Sequence, residues 1–293
     1  MSLRITPLTD PAHGPHGPRL AWLASDADSI PVGAAFLRLF ADPGQEHLAE
    51  LDLRVHPAER RKRVGSRLLD TAVATARDHA RRCVVAQAEA GSPGDRFLVA
   101  RGFRKVLTLR YTRLALADVD MALLAEITER PHPGYRLMSW RGTVPDDLAE
   151  TFAASRRAMD DTPMEDTDCG TVTWDVDRVR AAAKAVEQRG DHLHTVVAVD
   201  AANGSIAGFT ELVIPGNGTG DGQHYGTGVL PEHRGHGLGR WMKAESIRQA
   251  RADYPDLDGL LTDTADSNTH MRQINDGFGY TPTHTTHQHQ LDL

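Results

Sequence analysis

A strand, a glycine-rich turn and an amphipathic helix occur in the same order twice in this chain, and that repetition constrains the fold more than any other feature. The second copy is V-L-P-E-H-R-G-H-G-L-G-R-W-M-K at 229–243. Residues 223–230 read as a strand stopped by Pro231, and the pattern from Leu238 onward is helical, so 234–239 form the turn. Gly235, Gly237 and Gly239 let the backbone approach a ligand without Cβ interference, and the first amides of the new helix have no acceptor within it. Together with the positive end of the helix dipole, such a turn suits a pyrophosphate. In the first copy, a strand at 47–55 ends at His56-Pro57. A-E-R-R-K-R-V-G-S-R-L-L follows, and then a helix with Leu68, Leu69, Ala72, Ala76 and Ala80 at helical spacing. Alignment places Arg60 on Arg234, Arg63 on Gly237 and Gly65 on Gly239.

Other phosphate loops fit less well. A P-loop needs Lys-Ser or Lys-Thr after its glycines, and a dinucleotide fingerprint needs G-x-G-x-x-G, whereas the spacing here is G-x-G-x-G. Arg234-Gly235-His236-Gly237-Leu238-Gly239 matches R-x-x-G-x-G and resembles the acyl-CoA pyrophosphate loop of the GNAT superfamily of N-acetyltransferases. The preceding V-x-P-E-H fits as well. A further segment, S-N-T-H-M-R-Q-I-N-D-G-F-G-Y at 267–280, resembles one in tandem GNAT proteins, with Tyr280 in place of the usual phenylalanine. The doubled pattern is thus similar to two acetyltransferase folds in one polypeptide. The resemblance implies an α/β (α+β) class, with two tandem GNAT folds, each a mixed, splayed central sheet flanked by helices.

The domains expected are 1–117, a degenerate or structural copy; 118–134, a linker helix and the loop P-H-P-G; and 135–293, the catalytic copy. Two departures mark the first copy as degenerate. Arg63 adds a side chain where the motif has a glycine. In addition, only residues 9–18, rich in Gly and Pro, separate its first two strands, too few for the two helices that cover the acceptor in this family. The second copy has that cover: one helix is predicted at 145–159 and another at 175–189, with an acidic loop at 160–170 between them. Glu165 and Asp166 of this loop are candidates for a lid that recruits a cation. Residues 281–293 alternate as a closing strand or hairpin.

Composition narrows the partners. With 33 Lys plus Arg against 40 Asp plus Glu, the formal charge is -7, which disfavours a nucleic-acid partner and suits a small cationic substrate. Two cysteines, Cys83 and Cys169, form no disulfide framework, so a reducing, cytoplasmic setting is expected. No apolar run has membrane-spanning length. His284, His287 and His289 lack a ligand framework, and no metal is expected.

The resemblance implies an acetyl-CoA (or another acyl-CoA) cofactor and a small-molecule amine acceptor. The cofactor contacts it implies are Val229, Arg234, Gly235, His236, Gly237, Leu238, Gly239, Arg240, Asn268 and Asn275. An alkyl amine, with a pKa of about 10, must lose a proton before it attacks. His224, on the strand before the loop, is the first candidate base, and Glu211, near the end of the neighbouring strand, the second. Asn275 stands where the family's tyrosine acid is found and cannot serve as that acid, so Tyr280 or Tyr225 becomes the candidate donor. The alternative is a non-catalytic acyl-CoA-binding sensor or scaffold.

Overall fold

The computed structural model describes residues 3–9, 17–160, 166–168, 170 and 172–293. The chain divides into two compact units, and neither is contiguous in sequence. One comprises Met1–Thr108, Met164–Thr173 and Thr285–Leu293, the other Leu109–Pro163 and Trp174–His284.

The first unit opens with strands β1 (Arg4–Leu8), β2 (Arg19–Ser25), β3 (Pro31–Leu39) and β4 (Leu48–Val55). Helix α1 (Val64–Asp78) follows, then β5 (Cys83–Glu89) and α2 (Pro93–Ala100). The apolar stripe of α1 buries Val64, Leu68, Leu69, Ala72, Val73 and Ala76. They join Trp22, Val32, Leu37, Leu51 and Val84 in one core, as the helical spacing predicts for Leu68, Leu69, Ala72 and Ala76; Ala80 instead lies past the end of the helix, exposed and at a φ of 56°. Helix α2 starts where Ser92 Oγ accepts the Asp95 amide.

Strand β6 (Arg104–Ala115) passes from the first unit into the second, and α3 (Met121–Glu129) follows, capped by Asp120. This linker helix belongs to the second unit. Its Leu124 and Ile127 share a core with Trp241 and Met242, and Trp241 Nε1 donates to the Thr128 carbonyl at 3.2 Å. Strand β7 (Tyr135–Arg141) leads to the segment expected to carry the two helices of an acceptor cover. The single helix expected at 145–159 is broken here into a 3₁₀ turn Asp146–Leu148, the short helix α4 (Ala149–Ser155) and a second 3₁₀ turn Arg156–Met159. The Ser155 hydroxyl bonds back to the Phe152 carbonyl at 2.7 Å, a contact that competes with helical bonding. The second cover helix is α5 (Val176–Gln188), capped by Asp175 on the Arg178 amide. Strands β8 (His192–Asp200), β9 (Ile206–Ile214) and β10 (Gly220–Val229) follow, then α6 (Leu238–Asp253), β11 (Leu257–Ala265), α7 (Thr269–Gly277) and β12 (Thr281–Asp292).

Within the first unit the strand order is β1-β2-β3-β4-β5-β12, with β4–β5 parallel and the other pairs for which register is defined antiparallel. Within the second it is β6-β11-β10-β9-β8-β7, with β10–β11 the parallel pair. Each sheet takes a strand from the other half of the chain. Thr286–Asp292 pairs with β5, and Leu109–Ala115 pairs with β11. Contiguous ranges of 1–117 and 135–293 therefore do not describe the units, because hydrogen-bond pairing of the closing strands overrides chain order.

Candidate active site

The turn before α6 has the geometry its glycines imply. A 3₁₀ turn at Pro231–His233 leads to Arg234, and Gly235 and Gly237 adopt φ values of 84° and 74°. Gly237 is the N-cap of α6, and no side chain caps that end, so the first amides stay directed at the turn. Arg234 Nε donates to the Val229 carbonyl at 3.0 Å and braces the turn against the end of β10. His236 tilts against Tyr135 at 5.3 Å, and Arg240 lies 6.0 Å over the Phe278 ring.

The strand feeding this turn has an open edge. Its parallel pairing with β11 runs over Gly220–Gln223, and a bulge interrupts its ladder to β9 between His224 and Gly226. The Leu230 amide donates to Ala207 across that ladder. By the alternation of antiparallel bonding, Val229 and Thr227 turn their backbone N–H and C=O away from β9 and toward the parting from β11. An extended ligand arm can add there as a strand would.

Beside the parting lies a buried polar cluster on the α6 face of the sheet. His224 sits opposite Leu212, a core partner of α6. It is 4% exposed, and neither ring nitrogen makes a hydrogen bond of normal geometry. Burial, reinforced by the charge of Lys243, pushes its imidazole well below the usual range. Lys243 is 1% exposed, and its Nζ donates to Asn275 Oδ1 at 2.5 Å and lies 4.7 Å from the Tyr280 ring centroid. Burial lowers its ammonium to about 7. Asn275 Nδ2 donates in turn to Thr264 Oγ1 at 3.2 Å. The buried Tyr280 hydroxyl has no partner among the described residues, and burial raises its pKa.

Glu211 faces the other way. Strand β9 alternates, so Phe209, Glu211 and Val213 share the face covered by α4 and α5. Arg156 Nη1 holds Glu211 Oε2 at 2.7 Å, with the two side chains 10% and 8% exposed. The guanidinium lies against the rings of Trp174, Phe209 and Phe152, at 4.3, 4.7 and 5.3 Å from their centroids. The two candidate bases thus occupy opposite sheet faces, and only Glu211 is on the face packed by α4 and α5.

Other candidates take structural positions. Asn268 caps α7 through the Met271 amide, and Tyr225, at the bulge, is 54% exposed and accepts from Arg189. Glu165 and Cys169 lie outside the described residues. Asp166 is held in the first unit, its amide donating to the Val106 carbonyl. His287 and His289 converge on Asp95 Oδ1 at 3.1 and 2.7 Å within that unit, and His284 stacks on Tyr111 instead. The three convergent groups could take a metal ion. Buried His289 Nδ1 has no hydrogen-bond partner, however, whereas a metal-bound histidine normally orients its second nitrogen on an acceptor.

Sequence reasoning missed Lys243 and Arg156. The signal for Lys243 was present: it lies one turn before Ile247, on the helix's apolar face.

The first unit repeats this frame with different side chains. Arg61 and Arg63 adopt φ values of 66° and 67°, matching Gly235 and Gly237, and Arg63 is likewise an uncapped N-cap. Counting from those caps, along the ladders to β3 and β9, and back from the matching C-terminal turns, where the Phe103 amide donates to Leu98 as the Tyr280 amide does to Asn275, the positions of His224, Lys243, Asn275 and Tyr280 are occupied by Leu51, Leu69, Leu98 and Phe103, all in the apolar core.

A mixed sheet parting beside a glycine-built anion turn, with the frame present twice, is the arrangement of a tandem GNAT acetyltransferase. The chain belongs to the Acetyltransferase (GNAT) family, which matches residues 4–103 and 158–278. It is 29% identical over 251 residues to the mycothiol acetyltransferase of Thermobifida fusca (strain YX), covering 82% of this chain and 73% of that one. It is 31% identical over 234 residues to the mycothiol acetyltransferase of Clavibacter michiganensis subsp. michiganensis (strain NCPPB 382), covering 79% and 67%. Among solved structures, a tandem GNAT protein from the clavulanic acid biosynthesis pathway superposes with a TM-score of 0.76 at 24% identity, over 95% of this chain and 84% of that one. A GCN5-related N-acetyltransferase from Sphaerobacter thermophilus gives 0.68 at 16% identity, over 93% and 80%.

Proposed function

We propose that the protein transfers an acyl group, acetyl in the first instance, from acyl-CoA to a small amine, and that the second unit performs the reaction. The observation that carries this reading is the uncapped α6 terminus with Gly235 and Gly237 in the left-handed region, opening beside the unpaired edge of β10. When bound, acyl-CoA supplies an activated thioester. The amides at the start of α6, with Arg234 and Arg240 near them, hold its pyrophosphate, and the Val229 N–H is aimed where an oxyanion develops.

Glu211 is the base that readies the amine. It lies under the acceptor cover, and Arg156 fixes one oxygen, leaving Oε1 to take the proton. His224 loses that role to its burial on the opposite face, since an acceptor entering from α4 and α5 does not reach it. The first unit is a non-catalytic copy, because leucines and a phenylalanine fill the positions of the polar cluster.

Release of free CoA from acetyl-CoA in the presence of a panel of primary amines tests the activity. Glu211→Gln is expected to lower kcat by roughly a hundredfold or more and to remove the rising limb of the pH profile, with CoA affinity retained. If His224→Ala removes that limb and Glu211→Gln leaves it, the base is His224. If the wild-type chain shows no calorimetric CoA binding, the reading fails as a whole.

A further inference from the structure

We propose that Lys243 is the proton donor to the sulfur that departs during acyl transfer, its ammonium positioned by Asn275 and the sulfur enclosed by His224 and Tyr280. This rests on acyl-CoA occupying the parting of β10 and β11. The chemistry of the cluster selects the role. The Lys243 ammonium and the Tyr280 hydroxyl are the donors here: the ammonium is held by the Asn275 side-chain oxygen, the hydroxyl has no partner among the described residues, and the neutral His224 ring has the Glu211 backbone as its polar neighbour. A buried hydroxyl donor without a partner, beside one buried cation, is complementary to an anion. A thiolate is the anion that thioester chemistry creates.

Position agrees with chemistry. His224 is the first residue of β10 beyond its pairing with β11, so the cluster begins where the strands separate. Lys243 is on the second turn of α6, the helix whose first turn faces the pyrophosphate loop. Packing alone does not require these residues, since the same four positions in the first unit are apolar and fully packed.

As the carbon–sulfur bond breaks, its electron pair stays on sulfur. The proton moves from Nζ to sulfur, giving the thiol and a neutral amine, and water returns a proton to Lys243 before the next turnover. The charged and titratable groups facing Nζ are His224 from β10, Tyr280 just before β12 and, through the field, Asp263 from β11, whose carboxyl is itself raised by burial.

The chain contains only four lysines, Lys62, Lys105, Lys184 and Lys243, so lysine labelled with ¹³C at Cε gives a spectrum in which Lys243→Met assigns the buried one. CoA is expected to shift the Lys243 resonance, and desulfo-CoA, which lacks the sulfur, to leave it where it is. The thiol of bound CoA, followed by its ultraviolet thiolate absorbance, should ionise at least one pH unit higher in Lys243→Met than in wild type, with CoA affinity within a few-fold. The leucine at the equivalent position of the first unit indicates that the variant folds. Equal Lys243 shifts with CoA and desulfo-CoA, or an unchanged thiol ionisation, overturns the proposal while the acyl-CoA reading stands. Absence of CoA binding to the wild type overturns both.

Discussion

Lys243 destabilises the fold that holds it, and its pH dependence shows by how much. Its native ammonium titrates at about 7, while in the unfolded chain a lysine keeps its proton to about 10.4. Between those values the unfolded state binds the extra proton, so stability rises with pH on account of this group, and below 7 the penalty is present in full. Lys243→Leu, the residue found at Leu69, is therefore expected to be more stable than wild type at pH 6 by on the order of 5 kcal/mol. The advantage should shrink toward pH 10 in urea unfolding. The buried Arg156–Glu211 pair behaves differently, because each charge compensates the other. Arg156→Met alone leaves a carboxylate buried and unpaired, at a cost of about 3–5 kcal/mol. Arg156→Met with Glu211→Leu should recover most of that loss in the same denaturation measurement.

The two glycine-turn elements have one backbone and two chemistries. Arg61 and Arg63 hold left-handed conformations that cost a non-glycine residue roughly 1–2 kcal/mol each. Arg63→Gly is expected to raise the melting temperature of the first unit by several degrees without conferring acyl transfer, since Leu51, Leu69, Leu98 and Phe103 remain. Gly237→Arg in α6 imposes the same strain and sets a long side chain at the anion turn. Calorimetry should show CoA affinity falling by tenfold or more. Retention of full affinity would place the pyrophosphate elsewhere.

At the scale of the molecule, the exchanged closing strands make the sequence halves incomplete as folding units. A fragment of residues 1–117 lacks Thr286–Asp292 and leaves β5 with an unpaired edge, the kind of edge that associates with other chains. Far-UV circular dichroism and sedimentation should show it unfolded or aggregated. Joining residues 281–293 to it through a flexible linker should give a folded monomer. If 1–117 alone is cooperative and monomeric, the C-terminal strand is not needed for that unit.

The repeat, the anion turn and most elements were legible in the chain, because glycine conformation, proline stops and helical or alternating apolar spacing act over a few residues. Arg234 to Gly239 announced its own geometry in this way, and so did the stripe of α1 from Leu68 to Ala76. Tertiary structure alone decided which strands close which sheet, since β12 reaches β5 through hydrogen bonds between residues 199 positions apart in the case of Gln87 and Thr286. It also decided the faces of His224 and Glu211. A bulge in β10 shifts the side-chain alternation there, and no local pattern records a bulge. Lys243 became a candidate for chemistry only when burial and Asn275 were seen around it, because the charge of a lysine is altered by what surrounds it in space and not by its neighbours in sequence.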